Sequence, residues 1–123
     1  NKYLKETNDF YIELNKIQAE VRNASIIKDS LIISDLNQQF EQMRSKLTDY
    51  EFLFMTNNND SYISSLILQR MIIQQEIELE KAEEIFNNFT ELIKQTTSSL
   101  QIKEAINFYG KCIYSDYLKK LIQ

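Results

Sequence analysis

The segment IIKDSLIISDLNQQFEQMRSKLTDYEFLFM, residues 26–55, decides the fold of this chain. Mostly apolar side chains recur along it at alternating intervals of three and four residues, which places them on one stripe of a helix. Residues 3–24 carry the same spacing in a separate register. Such stripes are typical of the seam of a coiled coil or a long helical hairpin. The stripe positions are Tyr3, Thr7, Phe10, Leu14, Ile17, Val21 and Ala24, then Ile26, Asp29, Ile33, Leu36, Phe40, Met43, Leu47, Tyr50 and Phe54.

The two registers do not join. Val21 and Ile26 are five residues apart, where seven would continue the stripe. Because this offset matches neither common insertion of a coiled coil, we predict a break or sharp turn between residues 23 and 30. The candidate caps at this break are Asn23, Ser25 and Ser30.

A second turn is predicted at residues 56–61, Thr-Asn-Asn-Asn-Asp-Ser. Asn tolerates left-handed backbone there, and Asp60 or Ser61 can cap the helix that follows. The pattern then predicts one long helix over about 61–95. Its expected core positions are Ile63, Leu66, Ile73, Ile77, Ala82, Ile85, Phe89 and Leu92.

The C-terminal part of the chain predicts two short helices. Thr96 to Ser99 form a break, in which Ser98 and Gln101 have the spacing of a capping box. Gly110 is expected to end the first short helix, because glycine is the favoured residue for a left-handed C-terminal cap. The fold class is therefore all-α: a single domain over 1–123, an antiparallel helical bundle with coiled-coil-like heptad packing. The bundle is expected to be built on a hairpin of helices 26–55 and 61–95. The complete list of predicted helices is 3–24, 26–55, 61–95, 99–109 and 111–122.

Composition excludes several kinds of site. The 123 residues contain no His, no Pro, one Gly and one Cys. Without His the usual general base and His–metal sites are absent, and a single Gly rules out a Gly-rich phosphate loop. The net charge of −4 and pI near 4.9 disfavour nucleic-acid binding. We therefore predict no enzyme activity, no cofactor and no resident metal.

The remaining reactive residues have structural interpretations. Cys112 is expected to be a buried structural thiol, because cysteine is among the most often buried residues. The acidic run from Glu76 to Glu84 is expected to be a solvated helix surface. Arg70 is expected to form an ion pair with a carboxylate of the preceding helix. A further functional hypothesis is an enzyme or a small-ligand site. It requires Arg22, Arg44 and Arg70 to converge.

One end of the predicted hairpin carries more apolar side chains than a two-helix seam can bury. They lie in residues 50–55 and 62–73 and point most of the way round both helices. Either the C-terminal helices cover this end, or it is a surface for a protein partner or for self-association. The candidate interface residues are Phe52, Leu53, Met55, Ile67, Leu68, Met71 and Ile72.

The C-terminal tail predicts a small basic amphipathic helix. Its composition suits weak contact with a membrane surface, and packing onto the body of the protein is the alternative. The single Cys and the lack of an apolar run near the roughly 20 residues needed to span a bilayer favour an intracellular protein. The tail residues concerned are Tyr109, Lys111, Tyr114, Tyr117, Lys119 and Lys120.

A short stretch resembles a known family. Asp9, Phe10 and Tyr11, followed by Leu14, Ile17 and Val21, are similar to the opening of the N-terminal three-helix domain of syntaxin-type membrane-fusion proteins. The resemblance covers about fifteen residues and implies a regulatory helical domain of a larger protein, which binds a helix in cis. The residue patterns themselves favour a non-enzymatic interaction module, such as an adaptor, assembly factor or secretion chaperone.

Overall fold

The computed structural model describes the backbone of residues 2–122 and the side chains of residues 2–112 and 119–121. Helices account for 85% of the chain, and no strand occurs among residues 2–122, so the all-α class is confirmed. The helices are α1 (Lys2–Ile26), α2 (Ser30–Asn57), α3 (Tyr62–Ile73), α4 (Leu79–Asn87), α5 (Glu91–Lys94) and α6 (Thr97–Ile122).

The chain divides into two compact units, and the boundary falls within α2. Unit 1 is Asn1–Phe52 and unit 2 is Leu53–Gln123. Each unit has its own set of buried apolar side chains. The single domain over 1–123 stays a prediction.

Unit 1 is an antiparallel pair formed by α1 and residues 30–52 of α2. Tyr3, near the start of α1, contacts Glu51, while Ala24, near its end, clusters with Leu36. Within unit 1 the two predicted stripes face each other, since their members up to Tyr50 are buried or half-buried with the exception of Ile26. The central cluster consists of Ile17, Ala24 and Leu36 with Val21, Ile33, Phe40 and Met43 packed against it.

This pairing corrects the predicted hairpin. The long antiparallel hairpin is formed by α1 and α2, not by helices 26–55 and 61–95. A short turn joins α1 to α2, and each helix carries one narrow apolar stripe, so the two stripes can cover each other.

The turn between α1 and α2 lies inside the predicted break, but its caps differ from the predicted ones. Lys28 adopts a left-handed conformation with φ 56°, and the amide of Asp29 donates to the carbonyl of Ala24 at 3.2 Å. The carboxylate of Asp29 accepts from the amide of Ile32 at 3.1 Å and so caps α2. The hydroxyl of Ser25 instead donates to the carbonyl of Val21 within α1. A lysine therefore occupies the left-handed position that glycine usually takes.

The turn between α2 and α3 is where the sequence predicts it. Helix α2 ends at Asn57, and the side chain of Ser61 caps α3 by accepting from the amide of Ile63 at 3.2 Å. The loop is also tied to the end of α4, because the side chain of Asn59 donates to the carbonyl of Asn88 at 2.9 Å.

The predicted single helix over 61–95 is wrong: α3, α4 and α5 replace it. After the end of α3, Gln75 adopts the left-handed conformation at φ 56°. The amide of Glu76 then donates to the carbonyl of Met71 at 2.8 Å. Helix α3 is apolar on most of its circumference, so both α4 and α6 pack against it. A straight helix to residue 95 could not return α4 to that surface. Leu66, Ile73 and Leu92 are exposed rather than core. Leu66 and Ile73 are apolar residues of α3 outside its buried face, and Leu92 follows two breaks that shift the helical phase.

The two predicted C-terminal helices, 99–109 and 111–122, are one continuous helix, α6. Gly110 is an interior residue of α6 and not a cap, and a Cβ atom there would meet nothing within 4 Å. The cap of α6 is Thr96, whose hydroxyl accepts from the amide of Ser99 at 3.4 Å. Gln101 does not take part in a capping box but bonds to Gln69 of α3.

The core of unit 2 lies where α6 packs against α3, α4 and α5. Four small hydroxyl residues of α3 and α6 are buried, and two of them, Ser65 and Ser98, contact each other between the two helices. The four residues are Ser64 and Ser65 of α3 and Ser98 and Ser99 of α6. Small side chains let the two helix backbones approach closely. The buried apolar residues are Met55, Ile67, Leu68, Met71, Ile72, Ala82, Ile85, Phe89, Ile93, Ile102 and Ile106.

Candidate functional site

The structure places most of the candidate interface residues inside unit 2. Met55, Ile67, Leu68, Met71 and Ile72 are each at most 3% exposed. Helix α6 packs against α3, which matches the alternative in which the C-terminal helices cover this end. Of the other two residues, Phe52 in unit 1 is half-buried and Leu53 in unit 2 is 60% exposed. The set is not a continuous surface patch, and a partner-binding role for it stays a prediction.

A different group of apolar side chains is exposed in unit 1. We call Ile26, Ile27, Leu31 and Ile32 the turn patch, because they flank the turn between α1 and α2. Their exposed fractions are 78%, 68%, 83% and 45%. The charged residues among them, Lys28 and Asp29, carry opposite signs, so the segment has no net charge. Aliphatic side chains exposed at this density are typical of a contact surface for another molecule.

Sequence reasoning missed the turn patch for an identifiable reason. The heptad pattern assigned Ile26 to the seam, whereas α2 begins only at Ser30 and Ile26 points into solvent. The available signal was the pair of apolar doublets, Ile26-Ile27 and Leu31-Ile32. The first doublet places Ile27 outside the narrow stripe, and the second places both Leu31 and Ile32 outside it.

The other end of the unit 1 hairpin is polar and aromatic. The hydroxyl of Tyr3 in α1 donates to the buried carboxylate of Glu51 in α2 at 2.5 Å. The hydroxyl of Tyr50 in α2 donates to the carboxylate of Glu6 in α1. The rings of Tyr3 and Tyr50 are stacked with centroids 6.5 Å apart. Burial and the nearby Glu6 carboxylate raise the pKa of Tyr50 to about 12. This arrangement joins the two helices, and every polar group in it has a partner.

The hydroxyl cluster of unit 2 is likewise satisfied within the protein. The hydroxyls of Ser65 and Ser98 are 2.6 Å apart, and Ser99 donates to the carbonyl of Ile93 at 2.6 Å. Among the described residues, no buried side-chain nitrogen or oxygen atom lacks a hydrogen-bond partner. We therefore assign these serines to helix packing.

Unit 2 contains a cavity of about 450 Å³ at the end of α3. The loop after α3, the start of α4 and the middle of α6 form its walls. Its apolar lining comes from Ile72, Ile77, Leu79 and the ring of Tyr109, and its polar lining from Gln75, Glu78 and Cys112. The volume is within the range of about 300–1,000 Å³ that small-molecule sites occupy.

The position of Cys112 corrects a sequence prediction. Cys112 was expected to be buried, and the structure exposes its free thiol on α6 at the cavity. Cys112 lies in α6, which continues through Gly110, and its side chain is exposed at the cavity rather than packed in the core. The basic tail extends from this point, but the side chains of Tyr114 and Tyr117 lie outside the described residues.

The three arginines are divided between the two units, and their convergence in one site stays a hypothesis. Arg22 and Arg44 belong to unit 1, where Arg22 lines a shallow groove with Val21 and Phe40. Arg70 in unit 2 pairs with Glu76 at 3.3 Å, a partner that follows it in sequence. The break after α3 brings Glu76 back to Arg70. The predicted ion pair between Arg70 and a carboxylate of the preceding helix stays a prediction.

Two kinds of feature are absent from the described residues, a metal-binding group of side chains and a membrane-spanning helix. No group of three or more Asp, Glu or Cys side chains there has a geometry that suits a metal ion. No helix among those residues has both the length and the apolar character needed to cross a bilayer.

Comparison with known proteins adds no relative. Protein-family models, curated protein sequences and solved structures give no significant match to this chain.

Proposed function

We propose that this chain is a non-enzymatic protein-interaction module, an adaptor, assembly factor or secretion chaperone, which contacts a partner helix or itself through apolar helical surface. The observation that carries the proposal is the turn patch, with four aliphatic side chains between 45% and 83% exposed. The contact surface in this proposal is therefore the turn patch and not the buried part of the earlier candidate set.

The energetics support a transient contact. Burying apolar surface contributes about 25 cal/mol per Å², so each patch side chain can contribute about 1–2 kcal/mol when a partner covers it. Association itself costs several kcal/mol in lost rotational and translational freedom. Four such side chains contribute about 4–8 kcal/mol, which roughly offsets that cost, so the turn patch alone supports weak binding. A tighter complex requires contacts beyond the turn patch.

Site-specific photocrosslinking tests the proposal. A photoreactive amino acid replaces Leu31 in the turn patch or, as a matched control, Leu92 in unit 2. Leu92 is 76% exposed, close to the 83% of Leu31. We expect position 31 to crosslink one partner protein, or a second copy of the chain, while position 92 does not. Equal crosslinking at both positions would contradict the proposal.

A charge variant supplies an independent check. Ile27→Lys combined with Leu31→Lys introduces two charges at exposed positions, so the fold should be retained. Light scattering during size-exclusion chromatography distinguishes self-association from a monomer mass near 14.7 kDa. If the wild type exceeds that mass, the double variant should return to it. If the wild type is monomeric, the double variant should lose the crosslinked partner.

The alternative function is a regulatory helical domain similar to the N-terminal domain of syntaxin-type proteins. Its support is the similarity around Asp9, Phe10 and Tyr11. The two proposals differ in where the partner helix resides. A natural reading frame that continues past residue 123 into heptads and a membrane anchor would favour the regulatory domain. A stop codon near residue 123 would exclude it.

A further inference from the structure

A solvent-exposed carboxylate without an ion-pair partner among the described residues lies at the wall of the cavity beside Cys112. Glu78 is the residue with a formal charge at neutral pH in the described lining. Its side chain makes no capping hydrogen bond to α4, although Glu78 is at the N-cap position. No described residue forms an ion pair with it, whereas Glu76 pairs with Arg70 and Glu84 pairs with Lys81.

The rest of the lining is mainly apolar. Ile72 is buried at the base, and Ile77, Leu79 and Tyr109 are half-buried around it. A ligand that fills this space must present apolar groups to these side chains. A ligand group near the Glu78 carboxylate must be positive or a hydrogen-bond donor, since a second anion would be repelled.

We propose that this cavity binds a small apolar molecule that carries one positive charge. The apolar body of the ligand contacts Ile72, Ile77 and Leu79, and its cationic group lies beside the carboxylate of Glu78. The proposal concerns unit 2 and is independent of the turn patch, so its test does not depend on the proposed interaction function.

Cys112 provides a local reporter of occupancy. It is the one cysteine of the sequence, it is exposed, and it lines the cavity. Alkylation by iodoacetamide, a small neutral reagent, therefore measures access to this cavity alone. A ligand that occupies the cavity slows alkylation in a saturable manner.

Three probe molecules of similar shape separate the contribution of charge to binding from the contribution of apolar contact. They are 4-phenylbutylamine, which is cationic, 4-phenylbutan-1-ol, which is neutral, and 4-phenylbutyrate, which is anionic. We expect the amine to protect Cys112 at roughly fivefold lower concentration than the alcohol, as for a partly exposed ion pair. The anion should protect least. No saturable protection, or equal protection by all three probes, would overturn the proposal.

Variants test the role of Glu78 directly. Glu78→Gln should remove the advantage of the amine over the alcohol, and Glu78→Asp should retain most of it. Glu83→Gln is the matched control, because Glu83 is an exposed carboxylate of α4, the helix that follows Glu78, and is not part of the cavity lining. Circular dichroism establishes that each variant is folded. An unchanged preference for the amine in Glu78→Gln would also overturn the proposal.

Discussion

Gly110 lies in the interior of α6 with open space around the position of a side chain. Glycine in a helix interior costs about 0.5–1 kcal/mol relative to alanine, because its backbone loses more freedom on folding. We expect Gly110→Ala to raise the free energy of unfolding by about that amount in urea titrations. Asn107→Ala, at an exposed position one turn earlier, is the control and should have a smaller effect. Destabilisation by Gly110→Ala would show that α6 is not continuous at this residue.

We expect the ionisation of Tyr50 to lower the free energy of unfolding at alkaline pH. Its folded-state pKa of about 12 lies above the ordinary value of 10.0, because burial and Glu6 disfavour the phenolate. The contribution of the protonated Tyr50 to the free energy of unfolding is therefore complete below pH 10 and is lost as the pH rises toward 12. Urea unfolding at pH 8 and pH 11.5 should show the wild type losing more stability than Tyr50→Phe. Tyr11→Phe, at an exposed tyrosine, should follow the wild type at both values.

At the scale of helices, the close packing of α3 and α6 depends on small side chains. Ser98 is 2% exposed and its hydroxyl is 2.6 Å from that of Ser65. Ser98→Leu adds volume at this contact and should lower the free energy of unfolding by about 1–3 kcal/mol. Thr97→Leu changes the exposed neighbour in the same helical turn and should have little effect. Thermal unfolding followed by circular dichroism compares the two variants, and equal losses would contradict the close packing.

How well the sequence predicts the buried face of a helix depends on the width of its apolar surface. In α1 and α2 the apolar side chains form a narrow stripe, so the period of three and four residues identified Leu14, Ile17, Leu36 and Leu47 as buried. In α3 nearly every position is apolar, and no period distinguishes the face toward α6 from the face toward α4. Tertiary packing then decides where the helix ends.

The helix break that the sequence did not predict has a residue type that does not usually signal a turn. Gln75 adopts the left-handed conformation without the Gly or Asn that signals such a position. Gly110, which carries that signal, is helical. The candidate site was affected in the same way, because the error over 74–78 hid the cavity that Glu78 and Cys112 line.

At the scale of the whole molecule, the two units have separate sets of buried side chains, and a core substitution in each should act locally. Leu36→Ala in unit 1 and Leu68→Ala in unit 2 each remove a buried side chain and should cost about 2–5 kcal/mol. We expect native-state hydrogen exchange to show the larger loss of protection over 1–52 for Leu36→Ala and over 53–123 for Leu68→Ala. A uniform loss in both variants would instead support the single domain that the sequence predicts.

The two tyrosine–glutamate hydrogen bonds of unit 1 run in opposite directions, one donated from α1 to α2 and the other from α2 to α1. An apolar seam with a seven-residue repeat can be satisfied again when one helix slides along the other by a whole repeat. Such a displacement of α1 in either direction would separate both hydroxyls from their carboxylates and leave Glu51 buried without Tyr3. The two hydrogen bonds therefore favour the observed alignment of α1 and α2 over one displaced by a repeat, and signalling by longitudinal helix sliding is disfavoured in unit 1.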